Sequence, residues 1–148
     1  MLHPTLQLLV SLLLMQAPPQ NAACAVLTPA QVSSLIGSAQ TIPMGAAPNG
    51  ATCMFQNHDR VITVLMATVS SADGAQGLFN SKKRIVAGTD MQGWAAPAYA
   101  GIMRPDASVV GVLRKQTLVE VKVIDPTQAP GAVAPKLQAV MKDVAARK

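Results

Sequence analysis

The sequence predicts an α+β domain: an antiparallel sheet of about five strands with two to three helices packed on it, preceded by a signal peptide. Three observations carry this. Ala107 to Asp125 reads as two strands of a hairpin, Thr28 to Gln31 spells a helix start that two further amphipathic runs follow, and Leu6 to Met15 form an apolar run at the amino end. In the second strand of the hairpin, Val119, Val121 and Val123 share one face while Glu120 and Lys122 share the other, the period of a strand with one buried side. Its partner, Val109 to Leu113, is apolar on both faces, which places it further inside the sheet. Arg114 to Thr117 contain no Gly or Asn for a two-residue primed turn, so a longer loop built on a type I turn is expected.

From the amino end, Leu6 to Met15 have the length of a signal-peptide core and are too short to span a bilayer as a permanent helix. The alternative is an apolar helix packed on the domain. Small and polar residues follow, and cleavage anywhere between Ala17 and Ala23 fits them. The expected organisation is a leader over 1–23 and one α+β domain over 24–148, of roughly 125 residues, an ordinary size for a single core. The mature chain is then periplasmic or secreted, with no later window apolar enough for a transmembrane span. Lipid attachment through Cys24 is the lesser alternative, because Asn21 stands where a lipobox carries an apolar residue.

Cys24 and Cys53 are the only two cysteines. In a small exported domain such a pair is expected as a disulfide, worth about 3–4 kcal/mol on the chain-entropy model. That fate and lipidation of Cys24 exclude one another. One Cys pair with His58 is no zinc-ligand set, and no metal or cofactor is expected.

The first helix is the strongest local signal. Thr28 caps it, Pro29 occupies the first helical position, and Gln31 completes a capping box; Leu27 and Val32 form a hydrophobic staple, and Gly37 ends the helix. Ser38 to Gly50, with Pro43, Gly45 and Pro48, reads as a loop. Thr52 to Gln56 and Val61 to Val69 read as a second hairpin about the turn Asn57 to Arg60, the longer run being a central strand covered on both sides or nearly so.

Ser70 to Gly88 reads as a helix with Ser70 or Ser71 as cap and Gly88 as stop; Ala75, Leu78, Phe79, Lys82, Ile85 and Val86 recur at helical spacing. Thr89 to Met103 is irregular and holds the only Trp and Tyr. After the hairpin, Val133, Leu137, Val140, Met141 and Val144 mark a terminal amphipathic helix starting near Ala132 to Ala134.

The formal net charge is +5, which suits an anionic envelope surface or an acidic partner. The basic residues are spread along the chain and aromatics are few, so nucleic acid is not an expected partner.

In order, Cys24, LTPAQVSSLIG, Cys53, the long strand, the helix, GWAAPAYA, the hairpin and the terminal helix resemble small exported bacterial domains of unknown function. Among these are mycobacterial-type cell-envelope lipoproteins and the extracellular sensor domains of some receptor kinases. In those proteins a Cys precedes an LTP-type helix and a later Cys sits in a strand, as Cys24 and Cys53 do here. Their Gly-x-Gly-Asp stretch before the hairpin is matched by Gly93, Trp94 and Tyr99, but Ala95 and Ala96 replace the Gly-Asp. The resemblance implies an antiparallel sheet with packed helices and brings no established activity.

The catalytic parts are missing. His58 is the only histidine beyond the leader and lies in a turn; no G-x-S-x-G, P-loop or H-E-x-x-H pattern occurs. Carboxylate chemistry needs a convergence such as Asp106 with Asp125, at the two ends of the hairpin. The expected function is therefore a non-catalytic binding or interaction module of the bacterial envelope, with an envelope protein or glycan, which the basic charge allows to be anionic, as partner. Its contact region is Gly93 to Met103, where Trp94 and Tyr99 offer flat anchors if exposed; the alternative is that both rings plug the core. A periplasmic enzyme inhibitor or immunity-type protein using Lys82, Lys83 and Arg84 is the second reading, against a merely solvated helix end. A hydrolase centred on His58 or paired carboxylates is the third.

Overall fold

The structure, a computed structural model, describes residues 21–47, 49–129 and 131–148. The leader expected over 1–23 lies outside them except for its last three residues. A 3-10 turn, Ala22–Ala25, precedes α1 (Pro29–Ile36). A first meander follows, β1 (Gln40–Ala47), β2 (Gly50–Asn57) and β3 (Arg60–Thr68). Helix α2 (Ala72–Ile85) leads to a second, β4 (Thr89–Asp90), β5 (Ala98–Arg104), β6 (Ala107–Arg114) and β7 (Thr117–Ile124), and α3 (Ala134–Ala146) closes the chain. The two meanders meet through their last strands, giving one seven-stranded antiparallel sheet in the order β1-β2-β3-β7-β6-β5-β4.

The α+β class and the antiparallel sheet are as expected; the strand count is larger. β1 and β5 lie where a loop and an irregular segment were expected. β1 carries Pro43 and Gly45, with a bulge between them, and occupies a sheet edge. There a proline costs little, because one side of the strand needs no partner.

The local helix signals are realised. Thr28 Oγ1 accepts from the Gln31 N–H and Gln31 Oε1 from the Thr28 N–H, both halves of the capping box. Gly37 adopts a φ of 78°, and Asn57 Nδ2 donates to the freed Ile36 carbonyl at 2.6 Å, tying the helix end to β2. At the end of α2 the stop differs. Ala87, not Gly88, takes positive φ (48°), while the Ala87 and Gly88 N–H groups bond the Arg84 and Lys83 carbonyls in a Schellman pattern. Gly88 is needed for another reason, since a Cβ there would lie 3.1 Å from Cδ2 of Tyr99. Ile85, assigned to the buried stripe, is 67% exposed; Ala75, Phe79 and Val86 form the packed face.

Both hairpins form, each on a two-residue turn. Arg114 pairs with Thr117 and Asn57 with Arg60, leaving Lys115-Gln116 and His58-Asp59 as connections. Lys115 and His58 both sit at a φ of 56°. The longer loop expected at Arg114 to Thr117 is therefore replaced by a tight turn. The strand ladder on either side fixes the register and overrides the cost of about 1 kcal/mol for a non-glycine in that region.

Packing divides the sheet unequally. The face carrying Val64, Val112, Val121 and Val123 buries the main core under α1, α3 and the 3-10 turn. The opposite face is covered by α2 over β5, β6 and β7, where Phe79 and Tyr99 pack edge to face at 5.1 Å. Ile42, Met54, Thr63 and Leu65, on that face of β1, β2 and β3, are only half-buried. β3 is thus central, as expected, with one face buried and the other less covered than expected. β6, apolar on both faces, is buried along nearly its whole length, yet β7 is the strand in the middle of the ladder.

Candidate functional site

Cys24 and Cys53 form a disulfide, with Cα atoms 5.1 Å apart. The 3-10 turn carries Cys24 to β2. Asn21 accepts from the Ala23 N–H and donates to the carbonyls of Gly45 and Thr52, both at 2.9 Å. Ala23 is fully buried. The folded unit thus includes Asn21 to Ala23, three residues ahead of the boundary expected from the sequence. A disulfide suits an oxidising compartment. No helix among the described residues is long and apolar enough to cross a membrane.

The two aromatic candidates part company. Tyr99 is wholly buried, so it takes the core alternative and offers no surface anchor. Its ring crosses β6 at Gly111, and its hydroxyl donates to the Glu120 carboxylate on β7. Burial first, then this bond and the Glu120 charge, push the phenol far above its ordinary value, so it remains a donor. Trp94 is half-buried, packed against the main core from the segment between β4 and β5.

The basic trio at the end of α2 is also divided. Lys82 and Lys83 are half-buried, and Lys83 Nζ bonds Asp90 Oδ1 at 2.8 Å; Arg84 is exposed. That ion pair takes one of the three charges out of any anion-binding patch.

The carboxylate candidates become neighbours without forming a catalytic pair. The Asp125 N–H bonds the Asp106 carbonyl at 2.9 Å. Asp106 pairs with Arg104 at 3.4 Å, whereas Asp125 is buried and accepts from the Thr127 N–H and hydroxyl and from Gln128 Nε2. Burial raises the Asp125 carboxyl, but the Thr127 and Gln128 bonds and the Arg60 charge outweigh it and hold the group below the ordinary carboxylate range. Its role is to close the strand end. His58 is exposed at the tip of the β2–β3 turn. Among the described residues no cluster of three or more His, Cys, Asp or Glu is placed to hold a metal ion.

The structure adds a site that sequence reasoning missed. Where the β6–β7 turn, residues 95–97 and the end of α3 meet, a groove of about 690 Å³ opens at the end of the sheet. Met66, Leu113, Val119 and Ala145 line it with apolar surface, and Ala95, Ala96 and Pro97 form a wall. Arg114, Lys115, Arg147 and Lys148 stand around it. Arg147 is fixed by donation to the Val26 carbonyl, Gln31 and Asp143, and Arg114 donates to the Arg147 carbonyl. Among the described residues no acid lies within ion-pair distance of Arg114, Lys115 or Lys148. No signal at helix or strand period points to this groove, since its walls come from three distant stretches. Only the Ala95 to Pro97 wall lies within the contact region expected from the sequence.

The chain matches no protein-family model and no curated protein.

Proposed function

We propose that this protein is an exported, non-catalytic binding module of the bacterial envelope that engages its partner through the groove between the β6–β7 turn and the end of α3. The observation that carries the reading is the groove itself: a concave, largely apolar surface of ligand-site size bordered by Arg114, Lys115 and Lys148, which have no acid within ion-pair distance among the described residues. The Cys24–Cys53 disulfide and the resemblance to exported envelope domains support the compartment, periplasmic or secreted. A bonded Cys24 has no free sulfur to carry a lipid anchor, which favours the unlipidated form. The inhibitor reading through Lys82, Lys83 and Arg84 has less support, because Lys83 is already spent on Asp90.

The test is residue-resolved. Amide shifts of the labelled domain are followed while fractionated envelope glycans, lipids and proteins are added. Perturbations gathered on residues 95–97, 114–117 and 145–148 are the expected result. A response confined to other surfaces, or turnover of ester, peptide or glycoside substrates that depends on His58, would sink the proposal.

A further inference from the structure

We infer that the groove takes a single-chain amphiphilic anion, an acyl chain ending in a carboxylate or phosphate; this rests on the binding-module reading above. The rim supplies the charge complement. Arg114, Lys115 and Lys148 border the opening with no acid partner among the described residues. Cations beside a low-dielectric wall favour an anionic head over a neutral one.

The inner surface selects the rest of the ligand. Met66, Val119 and Ala145 present hydrocarbon, and several hydrogen-bonding groups of the walls are already used. Pro97 has no N–H, and its carbonyl accepts from the Leu113 N–H at 2.9 Å. Thr117 shares its hydroxyl with Thr68 at 2.8 Å, and the Gln116 carbonyl accepts from the Val69 N–H at 2.9 Å. A sugar or an extended peptide lying on this hydrocarbon leaves polar groups there without partners and is penalised for their desolvation. A hydrocarbon chain needs none. The volume of about 690 Å³ lies within the range of small-molecule sites.

The occupant is a solitary amphiphile, not a bilayer. Docking on a membrane surface needs protruding apolar side chains beside the cations. Among the described residues the large exposed apolar side chains are Met44, Ile85, Ile102 and Met103, and none of them borders this groove.

The probe is tetradecanoate below its aggregation concentration, titrated calorimetrically into the oxidised domain, with tetradecanol as uncharged control and anionic phospholipid vesicles as a third arm. One tetradecanoate per chain is expected, with tetradecanol weaker by about tenfold and affinity falling as salt rises. The double variant Lys115→Glu/Lys148→Glu should weaken tetradecanoate by about tenfold or more. Ala95→Trp, at an exposed wall position, should block it while leaving the melting temperature in place. Equal binding of the alcohol, indifference to both variants, or attachment to vesicles alone overturns the inference. If tetradecanoate fails but another envelope fraction still shifts the groove amides, the ligand class is wrong and the binding-module reading stands. If nothing perturbs the groove, both fall.

Discussion

The phenol of Tyr99 on β5 reaches the carboxylate of Glu120 on β7 by crossing over Gly111, the residue of β6 that stands between them in the ladder. A Cβ on Gly111 would sit 2.2 Å from Cζ of the ring. Gly111→Ala should therefore destabilise the domain by about 3 kcal/mol in urea unfolding, as overpacking against a fixed aromatic does. Tyr99→Phe should cost about 2 kcal/mol, the worth of a hydrogen bond to a charged partner. In a Tyr99→Ala background the penalty of Gly111→Ala should largely vanish. Additive costs in that cycle would show that the ring is not what Gly111 accommodates.

Ala87 occupies the left-handed position of a Schellman motif that glycine fills more cheaply. Ala87→Gly is expected to raise stability by about 1 kcal/mol. Gly88→Ala should lower it, because the added methyl meets Tyr99 and the Lys83 carbonyl, 3.3 Å away. Thermal melts of the two variants check both signs, and a destabilised Ala87→Gly would mean that the α2 end is held otherwise.

Asn21 and the disulfide secure the same corner. Reduction, or Cys53→Ser, should cost about 3–4 kcal/mol by releasing the loop between the cysteines. Asn21→Ala should cost about 1–3 kcal/mol, since the Gly45 and Thr52 carbonyls lose their donor. A processed chain beginning at Cys24 should show the same loss relative to one beginning at Asn21. Equal melting temperatures for those two chains would remove Asn21 from the folded unit.

Asp125 makes stability depend on acidity. Its carboxyl is held below the ordinary value in the folded state, so its contribution is complete above the unfolded value of about 4 and disappears as the pH falls through the lower native value. Asp125→Asn should be less stable than the parent at pH 7, and the gap should narrow as the pH falls below about 4. Denaturant midpoints across pH 2–7 test this; a constant gap would show that the charge is not involved.

Local chemistry was enough for several elements. The Thr28–Gln31 capping box, the stop at Gly37, the alternation of Val119, Val121 and Val123, and the pairing of two lone cysteines each depend on near neighbours or on the absence of any other partner. β1 and β5 escaped because proline and glycine read as loop wherever they occur. Only a sheet edge or a close helix makes them tolerable, as when Gly101 lets the Val86 carbonyl approach β5.

The sequence by itself determined the α+β class, both ends of α1 and the buried face of β7, because capping and period are properties of a few adjacent residues. Tertiary structure alone decided that Tyr99 belongs to the core, that Lys83 is matched by Asp90, and that Ala95 to Pro97, Arg114 to Thr117 and Ala145 to Lys148 enclose one groove. Those outcomes depend on which distant strands become neighbours. That choice is made by the burial of a whole sheet, a quantity no short stretch of chain contains.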